Sequence, residues 1–341
     1  MEQIQIYLPN LAKVFWLMAI SFIIAIIWTP IFTDFLYRNR FGKKIRKTGF
    51  DEQKAPIFYS LHKHKENVPT MGGLVIWVTT AVITILFNLS RAGTWLPLFA
   101  LVASGVIGAI DDILNIRGMG PNSGGLRFRL KLILYLIIAA VGAWWFYFKL
   151  GWDVFHVPGV GDLSLGVWYI PLFVVVIVFL AFAVNETDGL DGLAGGTLAI
   201  AYGSYGLIAL FEGKTALAAF CGTVMGALLA FLWFNIYPAR FIMGDTGSMA
   251  LGATLGVIAF LTNTVVVLPF IGFIFMIEAL SVMIQITSKK LFKRKVFLSA
   301  PIHHHLEALG WPEPKVTMRF WVISAVMAVI GMMIALVGRG I

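Results

Sequence analysis

Long apolar segments recur from one end of this 341-residue chain to the other and leave little sequence between them. An α-helix needs about 20 apolar residues to cross the ~30 Å hydrocarbon core of a bilayer. Ten segments of about this length lie at residues 11–33, 72–90, 94–110, 130–150, 167–184, 192–211, 214–236, 247–264, 266–288 and 317–337. The sequence therefore predicts an all-α, polytopic integral membrane protein with ten transmembrane helices, built as a single transmembrane domain over residues 1–341.

The composition supports the same conclusion. Hydrophobic residues make up 59% of the chain and charged residues 13%, which is outside the usual range of soluble domains. No small-residue cleavage site follows the first apolar segment, so it is predicted to be a retained helix rather than a signal peptide. The single cysteine, Cys221, lies within a predicted span, which excludes a disulfide framework and a thiolate metal site.

The distribution of Lys and Arg predicts the orientation of the chain. The loops after the odd-numbered segments, with the adjoining helix ends, hold 21 of the 26 Lys and Arg residues. Because positive charge is retained in the cytoplasm, these loops are predicted to be cytoplasmic and both termini extracytoplasmic. Topology thus accounts for the net charge of +9. Nucleic-acid binding is the weaker interpretation, since the basic residues are divided among separate loops.

Carboxylates are concentrated in the loops predicted to be cytoplasmic. A carboxylate near membrane depth is costly unless it has a function, and acids without local counter-charge indicate a divalent cation or a cationic pocket. Oxygen ligands favour Mg²⁺ or Mn²⁺ over zinc. The five acids in question are Asp111, Asp112, Asp188, Asp191 and Asp245.

Some of these acids also have simpler interpretations. Asp245 could serve only as the N-cap of the eighth span, and the adjacent acids at 111–112 could be a solvated helix end. Asp188 and Asp191 are three residues apart, so they would share a face if they were helical. Glu278 is a lone acid inside the ninth segment, where a partner within the helix bundle is expected.

Basic and imidazole groups accompany the acids on the same predicted side. Lys65 and Thr70 precede a Gly-Gly helix start, where they can face an anionic group, whereas the basic run 43–47 is interpreted as a topological anchor. The three residues 303–305 are consecutive histidines. Their side chains point about 100° apart on a helix and cannot all bind one metal. Contact with a phosphate or substrate oxygen is the favoured interpretation.

Clustered carboxylates, lysines, histidines and Gly-rich helix starts are the groups that bind a magnesium-bound diphosphate. The sequence has no Walker A pattern, so ATP-driven transport is not indicated. An ion-coupled carrier is a rival interpretation, but the acids lie at helix ends and no internal repeat is evident. An intramembrane metalloprotease would need the HExxH spacing, which is absent.

Five segments, in order along the chain, resemble a single family. They are PTMGG at 69–73, DD at 111–112, TDGLDGLA at 187–194, FNIYPARFIMGDTGS at 234–248 and PIHHHLEALGWPEPKVTMRFW at 301–321. The chain resembles the bacterial phospho-N-acetylmuramoyl-pentapeptide transferases, within the polyprenyl-phosphate N-acetylhexosamine-1-phosphate transferase superfamily. The acidic segments indicate only the superfamily, and the HHHxExxGWPE pattern indicates the muramoyl-pentapeptide branch.

The resemblance implies transfer of phospho-MurNAc-pentapeptide from UDP-MurNAc-pentapeptide to undecaprenyl phosphate, with Mg²⁺ as cofactor and lipid I and UMP as products. This is a step of peptidoglycan synthesis at the cytoplasmic face of the bacterial inner membrane. A sister enzyme that uses UDP-GlcNAc is the nearest alternative. The apolar stretch 144–148 is a candidate face for a homodimer.

The resemblance also implies roles for individual residues. Asp111 is the candidate base for the lipid phosphate; a covalent nucleophile is the alternative, but a single in-line displacement needs only positioning and charge stabilisation. The implied catalytic residues are Asp111, Asp112, Asp245 and His303, and the implied metal ligands are Asp245 and Asn185. The implied substrate-binding residues are Lys65, Thr70, Lys131, Asn185, Asp188, Asp191, Asn235, His304 and His305.

The chain departs from the family pattern at a few positions. Asn115 stands where the family usually has a lysine four residues after the first acid of the pair, and Arg117 is the expected substitute for that charge. Val68 stands where threonine is typical, and the turn at 120–125 is slightly longer than usual. None of these changes removes an implied metal ligand.

Overall fold

The structure, a computed structural model, describes residues 2–42, 65, 67–120 and 124–339. The described chain is mostly helical. Its first six helices are α1 (Glu2–Arg38), α2 (Gly73–Phe87), α3 (Trp95–Ile116), α4 (Phe128–Trp144), α5 (Tyr169–Thr187) and α6 (Leu193–Phe211). The next six are α7 (Thr215–Asn235), α8 (Asp245–Leu261), α9 (Leu268–Ile271), α10 (Phe273–Phe292), α11 (Ile302–Ala308) and α12 (Glu313–Val337).

Many of these helices are suited to a bilayer. Seven are long and apolar enough to cross a membrane, and α9 with α10, bent by 84°, makes an eighth if the pair is one broken span. The helices α2 and α8 are also apolar but have only 15 and 17 residues. The prediction of a helical membrane protein is confirmed. The ten-span topology and the positions of the termini stay predictions.

A small β-hairpin interrupts the helical architecture. Strand β1 (Val154–Val157) pairs antiparallel with β2 (Gly161–Ser164), between the turn of π-helix that extends α4 and the start of α5. The hairpin is a local departure from the all-α fold class that the sequence predicts. The local signal was Pro158–Gly159 between short runs containing β-branched and aromatic residues, a pattern typical of a hairpin turn.

Helix α8 forms the centre of the bundle. Every one of its 17 residues is buried, and it packs against α2, α3, α5 and α6. Small residues make this close packing possible, as is usual between helices in membranes. A Cβ added at Gly252 would lie 2.4 Å from the carbonyl oxygen of Leu180 on α5, and one added at Gly108 would lie 2.4 Å from the carbonyl oxygen of Asp245.

The contact at Gly108 leads to a test of how α3 positions the start of α8. We expect Gly108→Ala to lower both the melting temperature and catalytic activity, because the added methyl must push the backbone of Asp245 away. Gly203→Ala is the matched control, since its added carbon would meet only the flexible end of the Met225 side chain, with the sulfur nearest at 3.1 Å. Equal melting temperatures and activities for both variants in detergent would contradict the expectation.

The outer surface of the bundle is apolar. On α1, Trp16 and Ile31 are 67% and 73% exposed, and Val322 on α12 is 64% exposed. Such surfaces are stable against lipid chains but not against water. Trp144 and Phe148, in the stretch considered for a homodimer, are also exposed; the homodimer itself stays a prediction.

Candidate active site

Four predicted site residues meet at one end of the bundle. The Nζ of Lys131, in the first turn of α4, lies 2.8 Å from Oδ2 of Asp111 and 2.5 Å from Oδ2 of Asp245. The side-chain amide of Asn185 donates to Oδ1 of Asp245 at 3.0 Å and to Oγ of Ser248 at 2.9 Å. Side chains from four helices, α3, α4, α5 and α8, therefore converge on a single point.

The start of α8 is shaped by the loop before it. Gly244, not Asp245, is the N-cap residue, so the interpretation of Asp245 as a simple N-cap is wrong. Gly244 has φ of 75°, a conformation that glycine adopts readily. A Cβ there would lie 2.5 Å from both Oδ2 of Asp112 and Oγ1 of Thr70. This glycine thus lets two predicted site residues approach the N-terminus of α8.

The adjacent acids of α3 have separate partners. Oδ1 of Asp111 accepts a hydrogen bond from the backbone N–H of Leu126 at 2.6 Å. Oδ2 of Asp112 accepts one from the backbone N–H of Thr246, in the first turn of α8, at 3.1 Å. Both acids are buried. The interpretation of the pair as a solvated helix end is therefore wrong.

Asp188 and Asp191 do not share a helix face, because α5 ends at Thr187 and the acids lie in the turn that follows. Asp188 accepts a hydrogen bond from the backbone N–H of Gly244 at 2.9 Å. Asp191 instead accepts from the backbone N–H of Ala239 at 2.9 Å. The two acids tie one turn to different parts of the 236–244 loop, and the first of them connects it to the start of α8.

A second charged cluster surrounds Lys65. Its Nζ lies 2.7 Å from Oδ1 of Asp191 and 2.5 Å from Oε1 of Glu313 at the start of α12. Glu313 also accepts the backbone N–H of Asp191 at 2.6 Å. Burial opposes the charge on Lys65, but Glu313 and Asp191 outweigh it and raise the pKa of Lys65 above its ordinary value. One ammonium thus joins two carboxylates from distant parts of the chain.

The local sequence does not mark Glu313 as a site residue. A Pro-Glu-Pro helix start is ordinary, since proline and acids are favoured in the first turn. Its contact with Lys65 spans 248 positions of sequence, and no local pattern reveals such a contact. The available signal was its place in the family-like segment 301–321.

Asn235 supports the turns beside the site. Its side-chain oxygen accepts the backbone N–H of Gly192 at 3.0 Å, and its amide donates to the carbonyl of Phe241 at 2.8 Å. The side chain is buried. The structure gives Asn235 a role in holding two loops together, and its contact with substrate stays a prediction.

The three histidines have different partners, in agreement with their predicted divergence on a helix. Nδ1 of His303 lies 2.9 Å from Oε2 of Glu278, which supplies the expected partner of the lone acid. Nδ1 of His304 lies 2.7 Å from Oε2 of Glu307. Nδ1 of His305 accepts the backbone N–H of Leu298 at 3.2 Å.

The donor chemistry at Asp245 suits Mg²⁺, although Lys131 holds the central position. Carboxylate and amide oxygens are the donors that hard divalent cations prefer, and the carboxylates of Asp111 and Asp245 already converge on one positive charge. Within the described part of the chain, no three His, Cys, Asp or Glu side chains are arranged to hold a metal ion. Asp245 and Asn185 as metal ligands therefore stay a prediction.

The structure shows where the residues that depart from the family pattern lie. Asn115 is buried, whereas Arg117 is exposed, so Arg117 does not take the position expected for the missing lysine. Lys131 is the cation beside the first acid of the pair. The basic run 43–47 and residues 121–123 of the longer turn lie outside the described residues.

Comparison with known proteins identifies the general class of this protein. The sequence profile of glycosyl transferase family 4 matches residues 94–263. This range includes α3 to α8 and the cluster of Asp111, Lys131, Asn185 and Asp245. Together with the apolar helices, the match defines an integral membrane transferase with its charged site at one end of the bundle.

Similarity over nearly the full length narrows the class. A phospho-N-acetylmuramoyl-pentapeptide-transferase of Chloroflexus aurantiacus is 41% identical over 346 aligned residues, covering 97% of this chain and 92% of the relative. One of Geobacillus thermodenitrificans is 41% identical over 323 residues, covering 93% and 96%. The chain belongs to the phospho-N-acetylmuramoyl-pentapeptide-transferase family. The family resemblance seen in the sequence is thus confirmed.

Proposed function

We propose that this protein transfers phospho-MurNAc-pentapeptide from UDP-MurNAc-pentapeptide to undecaprenyl phosphate, giving lipid I and UMP in peptidoglycan synthesis. The bridge that Lys131 forms between Asp111 and Asp245 carries the proposal. It supplies a cation and two carboxylates in one buried site, which is the requirement of a phosphoryl-group transfer. The activity for which these relatives are named supports the choice of transferred group.

The proposed reaction is a single displacement. An oxygen of the lipid phosphate bonds to the phosphorus next to the sugar, while the bond from that phosphorus to the bridging oxygen breaks and UMP leaves. Asp111 accepts the remaining proton of the lipid phosphate, with its orientation fixed by the Leu126 N–H and by Lys131. The ammonium of Lys131 stabilises negative charge that develops on the diphosphate.

Asp245 and Asn185 are the residues that we propose to hold Mg²⁺. When bound, the ion would neutralise the diphosphate and stabilise the leaving UMP. Asp245 is suited to this role because it stands at the first position of α8, fixed by Lys131 on one oxygen and Asn185 on the other. Asp188 and Asp112 bind backbone N–H groups of the same helix start, which keeps the site in place.

We assign the site to the cytoplasmic face of the bacterial inner membrane. The excess of Lys and Arg in the odd-numbered loops supports this orientation, and the segment after α10 presents Lys293, Arg294 and Lys295 as exposed residues. A cytoplasmic site also gives a soluble nucleotide substrate direct access, while the lipid phosphate reaches it from the bilayer.

The proposal is tested by UMP release from the purified protein in detergent with undecaprenyl phosphate. We expect release from UDP-MurNAc-pentapeptide in Mg²⁺, a fall of at least about 10²-fold in EDTA, and little release from UDP-GlcNAc. Release from UDP-GlcNAc alone would move the protein to a sister branch with the same chemistry. No release from either sugar nucleotide by folded protein would overturn the assignment.

A further inference from the structure

The contact between Glu278 and His303 joins two helices in the interior of the protein. Glu278 lies within α10 and His303 in the first turn of α11, and both side chains are wholly buried. A carboxylate inside an apolar helix is costly unless it is paired. Its Oε2 and Nδ1 of His303 are 2.9 Å apart, which is direct polar contact. The carboxylate therefore lies directly against one edge of the imidazole ring.

The opposite edge of the same imidazole reaches the acidic turn. A Cβ added at Gly189 would lie 2.2 Å from Nε2 of His303. Gly189 follows Asp188, which binds the backbone of Gly244 beside the start of α8. The ring thus extends from Glu278 on one side to the turn that shapes the candidate active site on the other.

We infer that Glu278 is a positioning residue for the transferase reaction, acting through His303. Its carboxylate fixes the position of the His303 ring, so that Nε2 is presented to the Gly189 turn. Carboxylates that hold the far nitrogen of a functional imidazole have this effect in many sites. The inference rests on the proposed function and on the catalytic role that the family resemblance implies for His303.

The partner of His303 differs in kind from the partner of the neighbouring His304. His304 is paired with Glu307, three residues further along the same short helix α11. That pair is local and moves with its helix. Glu278 instead belongs to α10, so its contact sets the position of His303 relative to the rest of the bundle.

The alternative is that the pair serves only stability. Removal of one partner from a buried pair destabilises a protein whatever its function, so a loss of activity alone does not distinguish the two roles. A positioning role requires that kcat fall more than KM changes, in protein that remains folded. It also requires that the effect of changing Glu278 disappear once His303 is replaced.

The experiment measures kcat, KM and melting temperature for Glu278→Leu, Glu278→Asp and Glu278→Gln. We expect Glu278→Leu to lower kcat by about 10- to 100-fold with a much smaller change in KM. Glu278→Gln keeps an acceptor of the same length and should retain most of kcat. Glu278→Asp keeps the charge but withdraws it by about 1.5 Å, so it should be less active than the Gln variant. This order decides the question even if the Leu variant fails to fold.

Two controls complete the design. In a His303→Gln background, we expect Glu278→Leu and Glu278→Asp to cause little further loss of kcat. Glu212→Gln removes a buried acid from its pairs with Arg339 and Lys214, distant from the site, and should lower the melting temperature without changing kcat.

The outcomes distinguish a failure of the inference about Glu278 from a failure of the proposed function. The inference fails alone if wild-type protein releases UMP and Glu278→Leu keeps the wild-type kcat. It also fails if the kcat of Glu278→Asp exceeds that of Glu278→Gln. A third contradicting result is that Glu278→Leu lowers kcat by the same factor in the His303→Gln background as in wild type. It fails together with the proposed function if wild-type protein, shown to be folded, releases no UMP in the same assay.

Discussion

Asp245→Asn is expected to lower kcat by about 10³-fold while leaving the bundle folded. Oδ2 of Asp245 faces the ammonium of Lys131, and Oδ1 faces the amide of Asn185. Asparagine has one acceptor and one donor group, so in either orientation it must point a donor at another donor. The substitution also removes the negative charge that we propose to hold Mg²⁺. Both effects act at the point where the diphosphate would be stabilised.

The measurement for Asp245→Asn is UMP release over a series of Mg²⁺ concentrations. We expect the half-maximal concentration to rise as well as kcat to fall, because a ligand charge is lost. Asp162→Asn, the same change at an exposed residue of the hairpin, is the matched control and should behave as wild type. If Asp245→Asn kept wild-type kcat and Mg²⁺ dependence, Asp245 could not be the principal ligand.

The helices could be predicted because apolar segments recur along the chain. Their exact lengths could not. The sequence predicts a membrane span at residues 247–264, but α8 covers Asp245–Leu261 and is buried along its whole length. A helix surrounded by protein has its ends satisfied by neighbouring groups, so its length is not set by the bilayer. Hydropathy along the sequence does not distinguish such a helix from one that faces lipid.

The identity of the site residues was more predictable than their pairing. Acids at helix ends are conspicuous in an apolar chain, and this feature selected both Asp111 and Asp245. The family resemblance implies that their common partner, Lys131, binds substrate. Its contact with Asp245 joins residues 114 positions apart. Such a contact depends on how helices pack side by side. A single sequence does not show which helices pack against each other. For the same reason, Glu278 could be singled out from the sequence, but its partner could not be named.

Lys131→Met is expected to reduce both stability and activity, for separable reasons. The side chains of Asp111 and Asp245 are only 3% and 10% exposed, and loss of the cation between them leaves two buried carboxylates facing each other. Breaking a buried ion pair in this way costs about 3–5 kcal/mol. The loss of charge stabilisation in the reaction should lower kcat by a further factor of about 10² to 10³.

A second substitution separates the two effects. Adding Asp111→Asn to Lys131→Met removes the repulsion between the carboxylates, so we expect most of the melting temperature to return. The kcat should stay low, because the ammonium and the proposed base are both absent. Lys149→Met, at the exposed far end of the same apolar segment, controls for the loss of a lysine. If the double variant regained activity along with stability, Lys131 would serve to hold the carboxylates apart and would have no part in the phosphoryl transfer itself.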